Sequence, residues 1–164
     1  MNCIVAVEKN WGIGCQGRLL TYLPGDLKYF KEKTLDKVVI LGRKTLSTFP
    51  NGMPLKGRTN IILTRDKNFQ CEGAIVKHNV EDVLELIKEY DKENVFVIGG
   101  ESIYNQFMDH CETAYVTKIH DSFQSDVFFP NLDEKKEWQL IEESHINNHN
   151  DIAYQFCVYK KVSK

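Results

Sequence analysis

The sequence predicts an α/β fold: a mainly parallel β-sheet with flanking helices, finished by an antiparallel edge. Three observations predict it. Short β-branched apolar runs alternate with helical patterns along most of the chain. Those runs are apolar throughout rather than at every second residue, as in strands covered on both faces. The C-terminal part breaks the alternation with two strand-like segments around a polar turn.

Taken in order, residues 2–8 (NCIVAVE) open as a strand. Residues 24–34 read as a helix, with Leu23, Leu27, Phe30 and Thr34 along one stripe. Strand 37–42 (KVVILG), a short helix over 43–48, strand 59–64 (TNIILT) and strand 73–77 (GAIVK) follow. Residues 80–90 (VEDVLELIKEY) place Val83, Leu84, Leu86 and Ile87 at helical spacing, with acids in the first turn where the helix dipole favours them. Strand 94–100 (NVFVIGG) runs into a helix over 101–108, and 113–119 (TAYVTKI) is again a strand. Finally, EWQLIEESHI and IAYQFCVYKK flank NNHND, the pattern of an antiparallel hairpin. No repeat, low-complexity stretch or linker divides the chain, so residues 1–164 are expected to form a single domain.

Composition narrows the function. A formal net charge of −2 and scattered Lys and Arg argue against a nucleic-acid binder working through broad positive charge. Five widely spaced cysteines with no CxxC pair make a disulfide framework improbable and fit a reducing cytosol. The chain runs from Met1 into NCIVAV without a basic n-region, and no stretch is long enough to span a bilayer. A cytoplasmic protein without a membrane partner is expected.

Ligands of such sheets bind beyond the carboxyl ends of the strands. Three strand ends there suit anions. VVILGRKT ends in Gly42, Arg43, Lys44 and Thr45, a backbone bare enough for close approach beside a guanidinium. The same residues equally describe a solvated turn, and the glycine-rich lead-in of a Walker loop is missing. NIILTRD ends in Thr64 and Arg65, again either a phosphate site or a surface turn. VFVIGGESIYNQF runs from a buried strand through Gly99-Gly100 into a helix, which suits a pyrophosphate or simply a tight turn; it does not match GxGxxG. Together they point to one extended phosphate-rich ligand such as a dinucleotide. Asp26, in LLTYLPGDLKYF, has two readings as well: a first-turn acid favoured by the helix dipole, or a carboxylate bordering the apolar stripe for chemistry.

IVAVEKNWGIG, LPGDLKYFK, VVILGRKT, LKGRTNIILT, VFVIGGESIYNQF, AYVTKI and SDVFFP occur in the order and spacing of the dihydrofolate reductases. The resemblance, to the bacterial type, covers essentially the whole chain. It implies an eight-stranded, mostly parallel sheet with an antiparallel C-terminal hairpin and four helices. It implies NADPH-dependent reduction of 7,8-dihydrofolate to tetrahydrofolate in one-carbon metabolism, by a monomer open to antifolate inhibitors.

The resemblance also implies residue roles. Asp26 matches the buried active-site carboxylate and Thr117 the hydroxyl bonded to it. Ile4, Val5 and Ala6 match the first-strand lining of the pterin pocket, Phe30 its aromatic wall, Leu55 the benzoyl contact and Arg58 the grip on the glutamate tail. Leu19, Thr21, Leu27, Thr45 and Ile98 complete the substrate side. On the cofactor side, Gly42, Arg43, Lys44 and Thr45 match the phosphate turn; Leu63, Thr64 and Arg65 match the 2′-phosphate neighbourhood. Ile98, Gly99, Gly100, Glu101, Ser102, Ile103, Tyr104 and Gln106 match the nicotinamide and pyrophosphate segment, with a cis peptide between the paired glycines. Ala6 and Ile13 are also expected at the cofactor. Ile13 and Gly14 begin a mobile loop, which Asp126 supports.

In that setting Asp26 would orient and polarise the pterin, its two oxygens facing a ring N–H and an amino group, while a water protonates N5. Two departures stand out: Leu20-Thr21 replaces the Pro-Trp of most relatives, and Ser102 stands where some carry an arginine. Arg43 and Arg65 are then left to select NADPH over NADH. Two rival readings share the scaffold, a pyrimidine reductase of riboflavin synthesis and a non-catalytic NADP-binding protein. LPGDLKYF and Arg58 disfavour the first, and the Asp26–Thr117 pair disfavours the second. His145 and His149 flank a polar turn without further ligands, so no metal is expected. Trp11 is expected to pack in the mobile loop and Trp138 in the C-terminal sheet.

Overall fold

A computed structural model describes residues 1–162; Ser163 and Lys164, the end of the expected 1–164 domain, lie outside the described residues. In chain order the elements are β1 (Asn2–Val7), β2 (Gly12–Gly14), α1 (Pro24–Thr34), β3 (Val38–Gly42), α2 (Arg43–Leu46), β4 (Thr59–Leu63) and β5 (Ala74–Lys77). Then come α3 (Val80–Ile87), β6 (Val95–Gly99), α4 (Glu101–Phe107), β7 (Thr113–Ile119), β8 (Val127–Phe128), β9 (Trp138–Glu143), β10 (Asn147–His149) and β11 (Ile152–Lys161).

The main sheet runs in the order β10-β11-β7-β1-β6-β3-β4-β5, with β9 also paired to β11. Strands β1, β3, β4, β5, β6 and β7 are mutually parallel where they pair, whereas β11 is antiparallel to β7, β9 and β10. β10 lies against Ile152–Tyr154 and β9 against Cys157–Lys161, so the two share one edge of β11. The sheet is therefore eight positions wide, as the resemblance implies. No helix among the described residues is long and apolar enough to cross a membrane.

The continuous apolar runs have a direct cause. In β3, Val38 and Ile40 face one core cluster, shared with Val95 and Val97, while Val39 and Leu41 face another, shared with Phe96 and Ile98. Both sheet faces are covered, so both phases of each strand must be apolar. In α3, the Asn79 side chain caps the start by accepting from the Asp82 N–H at 2.8 Å.

Four expectations need correction. The expected helix 80–90 ends at Ile87, and 43–48 ends at Leu46. The NNHND segment is not all turn: Asn147–His149 is β10, and only Asn150 and Asp151, at φ 47° and 66°, reverse the chain. Two left-handed residues in succession match the twist of a two-residue hairpin, and Asn and Asp tolerate that conformation best after glycine. Finally, β2 and β8 form a separate antiparallel ribbon that no sequence pattern announced. Trp11, expected in the mobile loop, is buried in the main core between Phe129 and Tyr159.

Candidate active site

Pro24 opens α1, fitting the first turn where its missing N–H costs nothing, and places Asp26 two residues further in. Gly25 lets this turn sit against the Tyr154 hydroxyl of β11, where a Cβ would collide. Asp26 thus leans over the sheet toward β7. There the Thr117 hydroxyl, 1% exposed, donates to Asp26 Oδ1 at 2.6 Å. Thr117 is the register partner of Ala6 on β1. Burial pushes the Asp26 pKa above its usual 3.8, and the Thr117 bond opposes that without cancelling it. Oδ2 is left to accept from whatever enters the cleft.

That cleft has a volume of about 290 Å³ and is lined by Ala6, Ile13, Leu19, Thr21, Asp26 and Leu27, together with Leu20, Tyr22, Leu23 and Ile119. Leu27, read from sequence as part of a core stripe, is 47% exposed because its face of α1 looks into this opening. The apolar walls and single recessed acid suit a flat, mostly apolar ring with a polar donor edge.

Other expected substrate residues lie around it. Ile4 and Val5 are buried in β1, and the Ile4 carbonyl accepts from the Tyr104 hydroxyl at 2.7 Å. Phe30 and Leu55 are partly buried against the cluster that contains Ile98. Arg58 Nη1 donates to Thr34 Oγ1 at 3.2 Å, at the last turn of α1. Sequence reasoning passed over Asn60, 2% exposed, which pins the segment carrying Leu55 and Arg58. Its Oδ1 accepts from Leu55 N at 3.0 Å, and its Nδ2 donates to the Leu55 and Arg58 carbonyls. A polar residue inside the apolar run TNIILT was the available signal.

The expected cofactor residues gather at the ends of β3, β4 and β6. Gly99 is at φ 118°, a region for glycine alone, and its peptide to Gly100 is cis. A Cβ on Gly42 would come within 3.0 Å of Ile103, and one on Gly100 within 3.4 Å of Thr45 Oγ1. These strand ends therefore present bare backbone in close approach. Beside them, Arg43 Nη1 contacts Asp66 Oδ2 at 2.9 Å and its guanidinium lies 4.4 Å from the Phe69 ring centre. The Asn68 backbone N–H, then Arg43, hold the Asp66 pKa below its usual value. Lys44 and Arg65 are exposed, Thr64 and Thr45 half-buried, and Leu63 buried. Bare backbone flanked by accessible cations fits a phosphate-bearing dinucleotide. Within the expected cofactor segment, Glu101 Oε2 accepts from the Phe128 N–H at 2.6 Å, and Ser102 Oγ accepts from Gln106 Nε2 at 2.9 Å.

The Dihydrofolate reductase family model matches residues 1–161. The chain is 37% identical to dihydrofolate reductase from Staphylococcus haemolyticus, covering 99% of this chain and 96% of that one. It is 36% identical to dihydrofolate reductase from Bacillus subtilis strain 168, over 96% and 92% of the two chains. Among solved structures, dihydrofolate reductase from Enterococcus faecalis, complexed with NADP(H) and RAB-propyl, superposes with a TM-score of 0.85. It is 33% identical and covers 99% of this chain and 96% of that chain.

Proposed function

The chain belongs to the dihydrofolate reductase family, and from that premise we propose that it reduces 7,8-dihydrofolate to tetrahydrofolate with NADPH, as a cytoplasmic monomer serving one-carbon metabolism. The observation that carries the reading is the Asp26–Thr117 hydrogen bond inside an apolar cleft. A carboxylate there is costly unless a ligand completes its hydrogen bonds.

Bound at the β3, β4 and β6 ends, the dinucleotide supplies the hydride. Gly42, Gly99 and Gly100 give it bare backbone, and Arg43 and Arg65 give the 2′-phosphate its counter-charge. Thr117 fixes one Asp26 oxygen, so the carboxylate presents a set direction to the pterin ring N–H and amino group. That contact orients the ring and draws charge toward the far edge, and a water brings the proton to N5. Leu20 and Thr21 line the same cleft, so the water meets a threonine hydroxyl in place of an indole. Leu27, Phe30 and Leu55 supply the apolar walls, and Arg58 the counter-charge for the glutamate tail.

Mixing purified protein with NADPH and dihydrofolate tests this. The expected result is loss of reduced cofactor that depends on dihydrofolate. Tight binding of both ligands with no oxidation would overturn it.

A further inference from the structure

Gly12 and Phe128 face each other as register partners in the β2–β8 ribbon, and each gives its backbone N–H to a glutamate from a different element. Glu8, just beyond β1, is 2% exposed; its Oε2 accepts from Gly12 N at 2.8 Å and from Asn10 N at 2.6 Å. Glu101, the first residue of α4, accepts from Phe128 N at 2.6 Å. One rung of the ribbon is therefore gripped from β1 on one side and from α4 on the other.

Burying a carboxylate without a cation is expensive, and Glu8 has no ion-pair partner among the described residues. Its compensation is confined to the turn 8–12, with Asn10 Nδ2 as a further donor at 3.4 Å. A simple surface turn would be served by an exposed Asn or Ser; a buried acid is warranted only where the turn must hold one position. The neighbouring contacts agree. Gly12 packs where a Cβ would collide with Ser125, and Lys9 N donates to the Asp121 carbonyl at 3.0 Å. The next residue, Ile13, lines the cleft beside Asp26 and Ala6.

We propose that Glu8 and Glu101 are positioning residues that clamp the Gly12–Phe128 rung and so hold Ile13 at the cleft. The proposal rests on the reductase reading for its kinetic consequence but not for its structural one. Neither glutamate touches the reacting atoms; each acts through the ribbon.

The test pairs amide hydrogen exchange with steady-state kinetics in Glu8→Ala, Glu8→Gln, Glu101→Ala and Glu101→Gln. Removing a hydrogen bond to a charged acceptor should speed exchange at Phe128 in Glu101→Ala, and at Gly12 in Glu8→Ala, by roughly tenfold. In both alanine variants kcat should fall several-fold while KM for dihydrofolate stays within about twofold, because Leu27, Phe30, Leu55 and Arg58, the proposed substrate contacts, are untouched. The glutamine variants keep an accepting oxygen and should stay near wild type in both readouts. Should Glu8→Ala fail to fold, the half-buried Glu101 pair decides. Unchanged Phe128 exchange in Glu101→Ala, or equal impairment of its alanine and glutamine variants, overturns the proposal. A wild-type protein that shows no dihydrofolate-dependent oxidation would remove the reductase reading, yet the exchange measurement would still decide the clamp.

Discussion

Asp26 meets Thr117 in a recess of the sheet, whereas Arg43 meets Asp66 in water, with both side chains about half exposed. The first contact bridges residues far apart in sequence and is fixed by the register of β7 on β1. The second is screened and free to rearrange. Under the proposed function, the contrast separates how the substrate and cofactor regions would work. The substrate end is prepared before anything binds, at a cost in desolvation. The proposed cofactor end would rely on bare backbone at Gly42 and Gly99 for shape, and on exposed cations that exchange one anion for another.

Substitutions at the two ends should therefore differ in size and kind. Asp26→Asn should have the largest effect, lowering kcat at neutral pH on the order of a hundredfold or more. The same change should stabilise the fold. Because burial raises the Asp26 pKa above 3.8, the folded state binds that proton more tightly than the unfolded chain. The stability from protonation is complete below the usual carboxylate value and lost as pH rises through the raised one. Asp26→Asn should thus melt higher than wild type at pH 7, with the gain shrinking in acid; a lower Tm at pH 7 would break the claim that the acid is costly.

Next in size, Arg58→Leu should raise KM for dihydrofolate by tens-fold with kcat little changed, since the guanidinium grips substrate and transition state alike. Thr117→Val should cut kcat/KM about tenfold by freeing the carboxylate to turn. The smallest effect belongs to the exposed end. Arg43→Gln should lower the preference for NADPH over NADH only several-fold, because Arg65 shares the charge and water screens both. A collapse in selectivity as large as the Asp26 effect would show that the exposed end is as preorganised as the buried one.

Strands β1, β3, β4 and β6 were legible because each is covered on both faces, which imposes a continuous apolar run. β2 and β8 were not, since strands of three and two residues carry no period. β10 was hidden by composition: Asn-Asn-His reads as turn, and only its pairing with β11 makes it strand. At the site, Asp26 was visible as an acid bordering an apolar stripe, but its partner is a threonine in β7 that only the resemblance identified. Glu8 was read as the last residue of the first strand, and nothing in that run marked it as a buried acid just beyond β1. The neighbouring contacts, Lys9 N to the Asp121 carbonyl and Gly12 against Ser125, join distant stretches of chain.

In the proposed reaction a recessed acid, fixed by Thr117, orients and polarises dihydrofolate while proton delivery is left to water. The pH dependence of kcat for wild type and Asp26→Asn tests it most directly. A large deficit is expected at neutral pH, narrowing steadily as the medium becomes acidic, where dihydrofolate arrives already protonated. Equal turnover of the two proteins at neutral pH would contradict it.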